Sequence, residues 1–388
     1  MEVIEALQIV LNTPSILGKE SVLWHNALGK VLAQDIVADH DFPPFNRVMM
    51  DGFAIRFNEW REGRRQFEVG GMLSAGENPK DNYHCDCIEI MTGAMMPDEY
   101  DVVVPFEKVI LENGMCTLPD DIDIKQGNHV HHQGKDFKKN QILINRGTRI
   151  TALNLPVITS CGYAYVEVIQ LPSIAVISTG DELVEINQQP LPFQIRMSNG
   201  PGLITLLKPW SNSCELFHWK DDLEAMHQSF DQLRDFDILV FSGGVSMGKK
   251  DFMPELWKQK GFETLFHRVN QKPGKPLFFG RNENQILFGL PGNPVSAMSC
   301  AMVYVLPLIK NWMGLTYSEN VDIQGSIPSH EKLDLFAPVH FNSGNWSCID
   351  YNGSGDLVSF GTAGGVVWIP KKSQEKSTKQ PLVYFPAH

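Results

Sequence analysis

Ile174-Ala-Val-Ile-Ser178, running straight into Thr179-Gly-Asp-Glu-Leu183, decides the fold of this chain because the same pattern returns twice. Ile238-Leu-Val-Phe241 leads into Ser242-Gly-Gly-Val-Ser-Met-Gly248, and Ile286-Leu-Phe-Gly-Leu290 leads into Pro291-Gly-Asn-Pro294. Each is a short apolar strand that ends in a glycine-bearing polar loop. In an open α/β sheet the carboxyl ends of parallel strands sit side by side, so such loops converge on one crevice. Glycine lets the backbone turn tightly and bring N–H groups close to an anion. The stretch reads as a binding site for a phosphorylated or oxyanionic ligand.

The rest of the chain is organised around this block. With 388 residues it is too long for a single compact core, and about two to four domains are expected. Residues 1–34 show helical periodicity, with Val3, Leu7, Val10 and Leu11 at three- and four-residue spacing. Asp41-Phe-Pro-Pro-Phe45 breaks it. Residues 46–136 are punctuated by Gly and Pro with short runs such as Val102-Val-Val104, and read as a β-rich module. Residues 137–168 are mixed and close on the alternating Tyr163-Ala-Tyr-Val-Glu-Val168. Residues 169–315 alternate strands and helices as βαβ units do, with helical segments over Leu203 to Leu207 and Leu223 to Phe230. The last helix of that block starts at Asn293 as N-cap with Pro294 behind it, and Pro307 is expected to end or bend it. Residues 316–388 are short strands and turns, as in a small β-barrel or sandwich.

Composition narrows the function classes. A formal net charge of −12 argues against general nucleic-acid affinity, which needs a basic footprint. It leaves room for a small anion held by a local pair of cations. The sequence shows no apolar run of about eighteen residues, so no membrane span is expected. Met1-Glu-Val-Ile-Glu-Ala-Leu is acidic and amphipathic, unlike a secretory signal. Seven cysteines without regular spacing suggest reduced thiols and a cytoplasmic location.

Lys272-Pro-Gly-Lys-Pro276 is the most chemically pointed segment. Two ammonium groups repel each other, and a multivalent anion between them would relieve that repulsion. A solvated basic loop is the plainer alternative. Asp181 and Glu182 follow the first strand, and Asp251 follows the second glycine loop. Acidic groups beside phosphate-binding loops commonly hold Mg²⁺ against phosphate oxygens. Asp251 also suits an N-cap for a helix beginning near Pro254, and Glu182 suits an exposed turn. Met50-Asp-Gly-Phe-Ala54, Met91-Thr-Gly-Ala94 and Gly134-Lys-Asp136 carry Asp51, Thr92 and Asp136 in segments that also read as ordinary turns. His129, His131, His132 and Cys85-Asp-Cys87 lack the paired spacing of a structural zinc site. The sequence contains no Walker A motif, no nucleophile elbow and no GxGxxG after a strand, which leaves the common NTPase, hydrolase and dehydrogenase readings without support.

Taken in order, these motifs resemble the molybdopterin molybdenumtransferase family, which includes bacterial MoeA and the E domains of plant Cnx proteins and gephyrin. Ser198-Asn199 and Gly289-Leu-Pro-Gly-Asn-Pro-Val-Ser296 extend the match, which covers essentially the whole chain. The resemblance implies an α/β plus β multidomain fold. A central three-layer αβα molybdopterin-binding domain spans 169–315, and an elongated discontinuous domain spans 1–45 and 137–168. A β-rich domain is inserted at 46–136, and a C-terminal β-barrel spans 316–388. It also implies a homodimer whose cleft lies between the α/β domain of one subunit and the second and fourth domains of its partner.

The implied reaction takes adenylylated molybdopterin and molybdate, inserts molybdenum and releases AMP. The resemblance places Thr179, Gly180, Ser198, Asn199, Ser242, Gly243, Gly244, Ser246, Pro276, Pro291, Gly292, Asn293, Pro294 and Ser354 around the substrate. It implies that Lys272 and Lys275 attract molybdate, and that Asp51, Glu182 and Asp251 hold Mg²⁺ and act in catalysis. Thr92 and Asp136 would line the partner side. The chain departs from the family at His131-His132 and at Phe336-Ala-Pro-Val339, where arginines are expected, and at Met197-Ser-Asn199 in place of Asp-Ser-Asn. Two other functions remain open from sequence: a dimeric scaffold or ligand-binding paralogue, and a molybdopterin adenylyltransferase.

Overall fold

A computed structural model describes residues 1–79, 85–245, 253–372 and 381–387. The three strand–loop segments are neighbours in it. Ser173–Thr179, Ile238–Ser242 and Ile286–Leu290 lie side by side and parallel, with Ile174 opposite Ile238 and Ile238 opposite Ile286. Ser213–Trp219 adds a parallel edge strand. Phe278–Arg281 and Glu263–His267 complete the other edge antiparallel, making six strands. The central strands read as unbroken apolar runs because both of their faces are covered. Ile174, Val176, Val240 and Phe288 point into one core with Leu203 and Val295 of the helices Asn199–Leu207 and Pro294–Cys300. Ala175, Ile177, Leu239 and Phe241 point into the other, against Met226, Leu256 and Trp257 of Leu223–Ser229 and Met253–Gln259.

The helical expectation for residues 1–34 holds only for Val3–Leu11. Its periodic residues lie inside those nine positions, and Pro14 and Gly18 follow. Lys19–Leu23 is instead a strand, paired antiparallel with Tyr165–Ile169. The first helix buries Val3, Ala6, Leu7 and Val10 in the core of the six-stranded unit, where Val31 and partly buried Ile16 and Leu17 join it.

Of the two outcomes expected at Pro307, an end or a bend, the helix does not end there. Pro294–Cys300 runs into a π turn at Ala301–Val305 and on through Leu306–Trp312. Proline lacks a donor and its ring crowds the carbonyl four residues back; the wider π turn just ahead shifts the hydrogen-bond register and accommodates both. The continuous 19-residue helix is long and apolar enough to cross a membrane, yet 83% of its 18-residue apolar window is buried inside the protein, so it serves here as a core helix.

Two further sheets flank this unit. Val102–Pro105, Gly52–Ile55, Cys87–Ile90, Gln66–Leu73, Met115–Thr117 and Ile110–Glu112 form one in that order, with separate apolar clusters around Val103 and Phe53. Asp334–Asn342, Gly365–Ile369, Leu382–Pro386 and Glu319–Val321 form the other. Asn345–Cys348 pairs back on Asp334–Asn342, and a bridge from Ile323 to Trp346 returns the last strand to that hairpin. Gln271–Lys272 joins this sheet too, parallel to Asp334 and Leu335. The lysine segment is thereby fastened to the C-terminal sheet although it lies within the α/β stretch of sequence. All seven cysteines are free thiols.

Candidate functional site

The parallel register brings Thr179, Ser242 and Leu290 to one edge, and the loops beyond them are stitched together. Gly243 N–H donates to Leu290 O at 3.1 Å. Asn199, at the start of its helix, donates through Nδ2 to Ser242 Oγ at 2.9 Å and to Gly292 O at 2.7 Å. Gly243 has φ +103°, a conformation that side chains avoid, and a Cβ there would meet Thr179 Oγ1 at 2.6 Å and Thr179 O at 2.9 Å. Glycine is therefore required for this loop to lie so close to its neighbour.

The loops enclose a cavity of about 490 Å³. Of the residues expected around a ligand, Thr179, Gly180, Ser198, Asn199, Ser242, Gly243, Gly244, Pro276, Pro291, Gly292, Asn293 and Pro294 line it, with Glu182 at its side. Ser246 and Asp251 lie outside the described residues. Two polar atoms at the cavity are buried without a partner among the described residues, Ser178 Oγ and Asn199 Oδ1. Buried polar atoms are normally paired, and a bound polar ligand is one way to satisfy them.

Sequence reasoning missed Asp221, the second carboxylate on this lining. Its backbone N–H donates to Asp181 Oδ1 at 3.2 Å, so Asp181 orders the loop while Glu182 and Asp221 line the cavity. Asp221 follows an edge strand, Ser213–Trp219, whose half-exposed pattern lacks the apolar run that flagged the other three. The carbonyl of Gly180 accepts from His218 Nε2 of that strand at 3.1 Å, holding the two loops together.

A second cavity of about 280 Å³ contains Lys272, Lys275, Ser354 and Tyr351, and shares Pro276, Pro291 and Asn293 with the first. The two are halves of one cleft. Gly274 between the lysines has φ +90°, and its missing Cβ would strike Cys300 Sγ at 2.4 Å. Buried Gln271 donates to Gly274 O at 3.0 Å and fixes the turn from below. Asn293, expected as N-cap, precedes its helix but makes no side-chain cap; it donates instead to Ser354 Oγ at 2.9 Å. Ser354 O in turn accepts from Val295 N–H at 3.1 Å. The C-terminal loop thus occupies the start of the helix and closes the lysine half.

Asp51, Thr92 and Asp136 line neither cavity. Asp51 and Thr92 do meet each other: Thr92 N–H donates to Asp51 Oδ1 at 2.7 Å and holds that carboxyl below the usual carboxylate range. Asp136 Oδ1 is 2.9 Å from His131 Nε2, whose other ring nitrogen is 3.5 Å from Arg47. Asp51 immediately precedes a strand of the separate β-rich sheet and Asp251 lies outside the described residues, so the expected metal set Asp51, Glu182 and Asp251 is not assembled from the described residues of one chain.

A parallel-stranded α/β unit carries at its strand ends a cleft lined by glycine loops in one half and two lysines in the other, closed by a loop from the C-terminal sheet. Comparison with known proteins identifies the group. The family described as MoeA N-terminal region (domain I and II) matches residues 1–162, and the one described as probable molybdopterin binding domain matches residues 175–311. A molybdopterin molybdenumtransferase of Synechocystis is 38% identical over 284 residues, covering 72% of this chain and 73% of that protein. Another from Staphylococcus epidermidis is 35% identical over 295 residues, 74% of this chain and 70% of that protein. The crystal structure of the molybdopterin biosynthesis MoeA protein from Pyrococcus horikosii matches with a TM-score of 0.83 at 27% identity, over 100% of this chain and 99% of that one. The chain belongs to the molybdopterin molybdenumtransferase family, the transferases of molybdenum cofactor biosynthesis.

Proposed function

We propose that this protein transfers molybdenum from molybdate to adenylylated molybdopterin and releases AMP. The observation that carries the reading is the two-part cleft, in which a glycine-loop cavity adjoins a lysine cavity through Pro276, Pro291 and Asn293. Backbone amides of the glycine loops suit the phosphate groups of the pterin substrate. Lys272 and Lys275 suit the tetrahedral dianion beside it. Glu182 and Asp221 supply carboxylate oxygens, the donor type Mg²⁺ takes, and Asp251 and the partner's Asp51 complete the proposed set. Bound Mg²⁺ would neutralise charge on the pyrophosphate as AMP departs. Molybdate-dependent AMP release by the purified protein is the expected result. Adenylylation from ATP, or ligand binding without turnover, would replace this reading with one of the two alternatives.

The working form in this reading is a homodimer in the cytoplasm. Each subunit would comprise an elongated discontinuous domain, an inserted β-rich domain, an α/β domain and a C-terminal barrel. Support for the dimer comes from the position of Asp51, Thr92 and Asp136 away from their own chain's cleft, among exposed Met49, Met50 and Met95. Solvent-facing methionines of this kind suit burial against a second subunit.

A mixing experiment tests the arrangement. At subsaturating molybdate, Asp51→Ala and Lys275→Ala homodimers are each expected to release AMP at least about tenfold more slowly than wild type. Because a two-fold dimer has two equivalent clefts, a mixed dimer places both lesions in one cleft and leaves the other intact. Co-refolded equal mixtures are then expected to recover about one quarter of wild-type AMP release. A mixture as slow as its parents would place Asp51 and Lys275 in the same subunit's cleft.

A further inference from the structure

Among the polar residues lining the lysine cavity, the transferase reading leaves Tyr351 and the buried Ser296 without a task, and only Tyr351 extends a long, half-exposed side chain. The electrostatics of this cavity favour a dianion: Lys272 and Lys275 line it, neither is ion-paired among the described residues, and no carboxylate is on its described lining. Ser354 Oγ accepts from Asn293 Nδ2, which leaves its own hydrogen free to donate. Tyr351 is half-buried, its ring packed against the main apolar core. Its hydroxyl makes no hydrogen bond to any described residue. Burial pushes the phenol above its ordinary pKa, so it keeps its proton at neutral pH.

We propose that Tyr351 is a specificity-determining hydrogen-bond donor to the tetrahedral oxyanion held between Lys272 and Lys275. The proposal rests on reading this cavity as the molybdate end of the cleft. Two ammonium groups on flexible four-carbon stems attract any small dianion and adapt to its size. They confer affinity but little choice. A phenol whose ring is packed against a core shifts less than a lysine ammonium, so it sets the distance at which an oxyanion oxygen lies. Molybdate is larger than sulfate, and its oxygens reach further from the centre. Phosphate at neutral pH keeps a proton and presents a donor to a wall supplied with donors by Lys272, Lys275, Ser354 and Tyr351. A fixed neutral donor therefore discriminates against both competitors, one by size and the other by protonation.

Tyr351→Phe removes the hydroxyl and keeps the ring packing. On full-length protein, titration with molybdate alone is expected to show affinity about tenfold weaker than wild type, the effect of one lost hydrogen bond to an anion. The molybdate KM in the AMP-release assay is expected to rise by a similar factor with kcat at saturating molybdate unchanged. Competition by sulfate and phosphate is expected to become more effective against the variant than against wild type. Unchanged molybdate affinity and unchanged competition would overturn the proposal, as would a fall in kcat with KM intact. Thermal unfolding at the wild-type temperature separates a lost contact from lost packing, and a variant with lowered stability but wild-type oxyanion preference also counts against the role. The outcomes are separable from those for the enzymatic reading. Wild-type protein that binds molybdate and releases no AMP contradicts the transferase reading, while the binding comparison still decides the tyrosine; no molybdate binding by wild type overturns both.

Discussion

Replacing both Lys272 and Lys275 with alanine is expected to abolish molybdate-dependent AMP release at low molybdate while the protein stays folded. Both side chains are exposed at the cleft and neither is ion-paired among the described residues, so their removal leaves no buried charge behind. A hydrogen bond to a charged group contributes about 1.5–3 kcal/mol, so losing two lowers turnover at subsaturating molybdate by roughly 10²- to 10⁴-fold. The single variants are expected to lie between, and Lys→Arg at either position to rescue in part, because charge is restored while the ammonium's compact geometry is not. In the proposed reading the pterin substrate occupies the glycine-loop half of the cleft, so its affinity should fall far less than that of molybdate. Calorimetric titration with each substrate separately checks this. Equal losses for both ligands would mean that the lysines serve the nucleotide half.

Gly243→Ala is expected to combine the second-largest functional loss with measurable destabilisation. At φ +103° any side chain is strained, and the added carbon would press on Thr179 Oγ1 and on the Thr179 carbonyl. Backbone strain of this kind costs about 1–3 kcal/mol and overpacking about 1–3 kcal/mol more. Neither neighbour yields easily, because Thr179 ends a strand hydrogen-bonded on both sides. Gly314→Ala is the control: its φ is +72°, yet nothing lies within 4 Å of the added carbon. It should cost only the left-handed backbone preference, roughly 1–2 kcal/mol. Urea unfolding of the two variants measures the difference. If both lose the same stability, the close approach of the two loops is not the reason for glycine at position 243.

These effects bear on how far the chain could be read in advance. The convergence of Thr179, Ser242 and Leu290 was legible because parallel strands buried on both faces write themselves as apolar runs, and glycine marks where the backbone must turn toward a neighbour. The lysine pair was legible as chemistry though not as location. The strand partner of Lys272 is Leu335, some sixty residues downstream, and no local pattern announces that pairing. Asp221 was invisible because it follows an edge strand with exposed positions, and Tyr351 because a lone tyrosine in a polar turn carries no periodic signal. The extended helix at the amino terminus was over-read. Val3 to Leu11 has the spacing, and the residues beyond it are claimed by a strand that forms only when Tyr165–Ile169 arrives.

Local pattern was sufficient to specify the strand-and-loop crevice, the cation pair and the family, since each depends on residues within a few positions of one another. Folding in three dimensions settled the remainder. It merged two cavities across Pro276, Pro291 and Asn293, brought the Ser354 loop onto the helix at Asn293, and left Asp51 and Thr92 away from their own chain's cleft. The physical reason is that short-range periodicity reports which face of an element is buried, whereas the partner that buries it is chosen by long-range packing and strand pairing, which leave no mark on neighbouring residues.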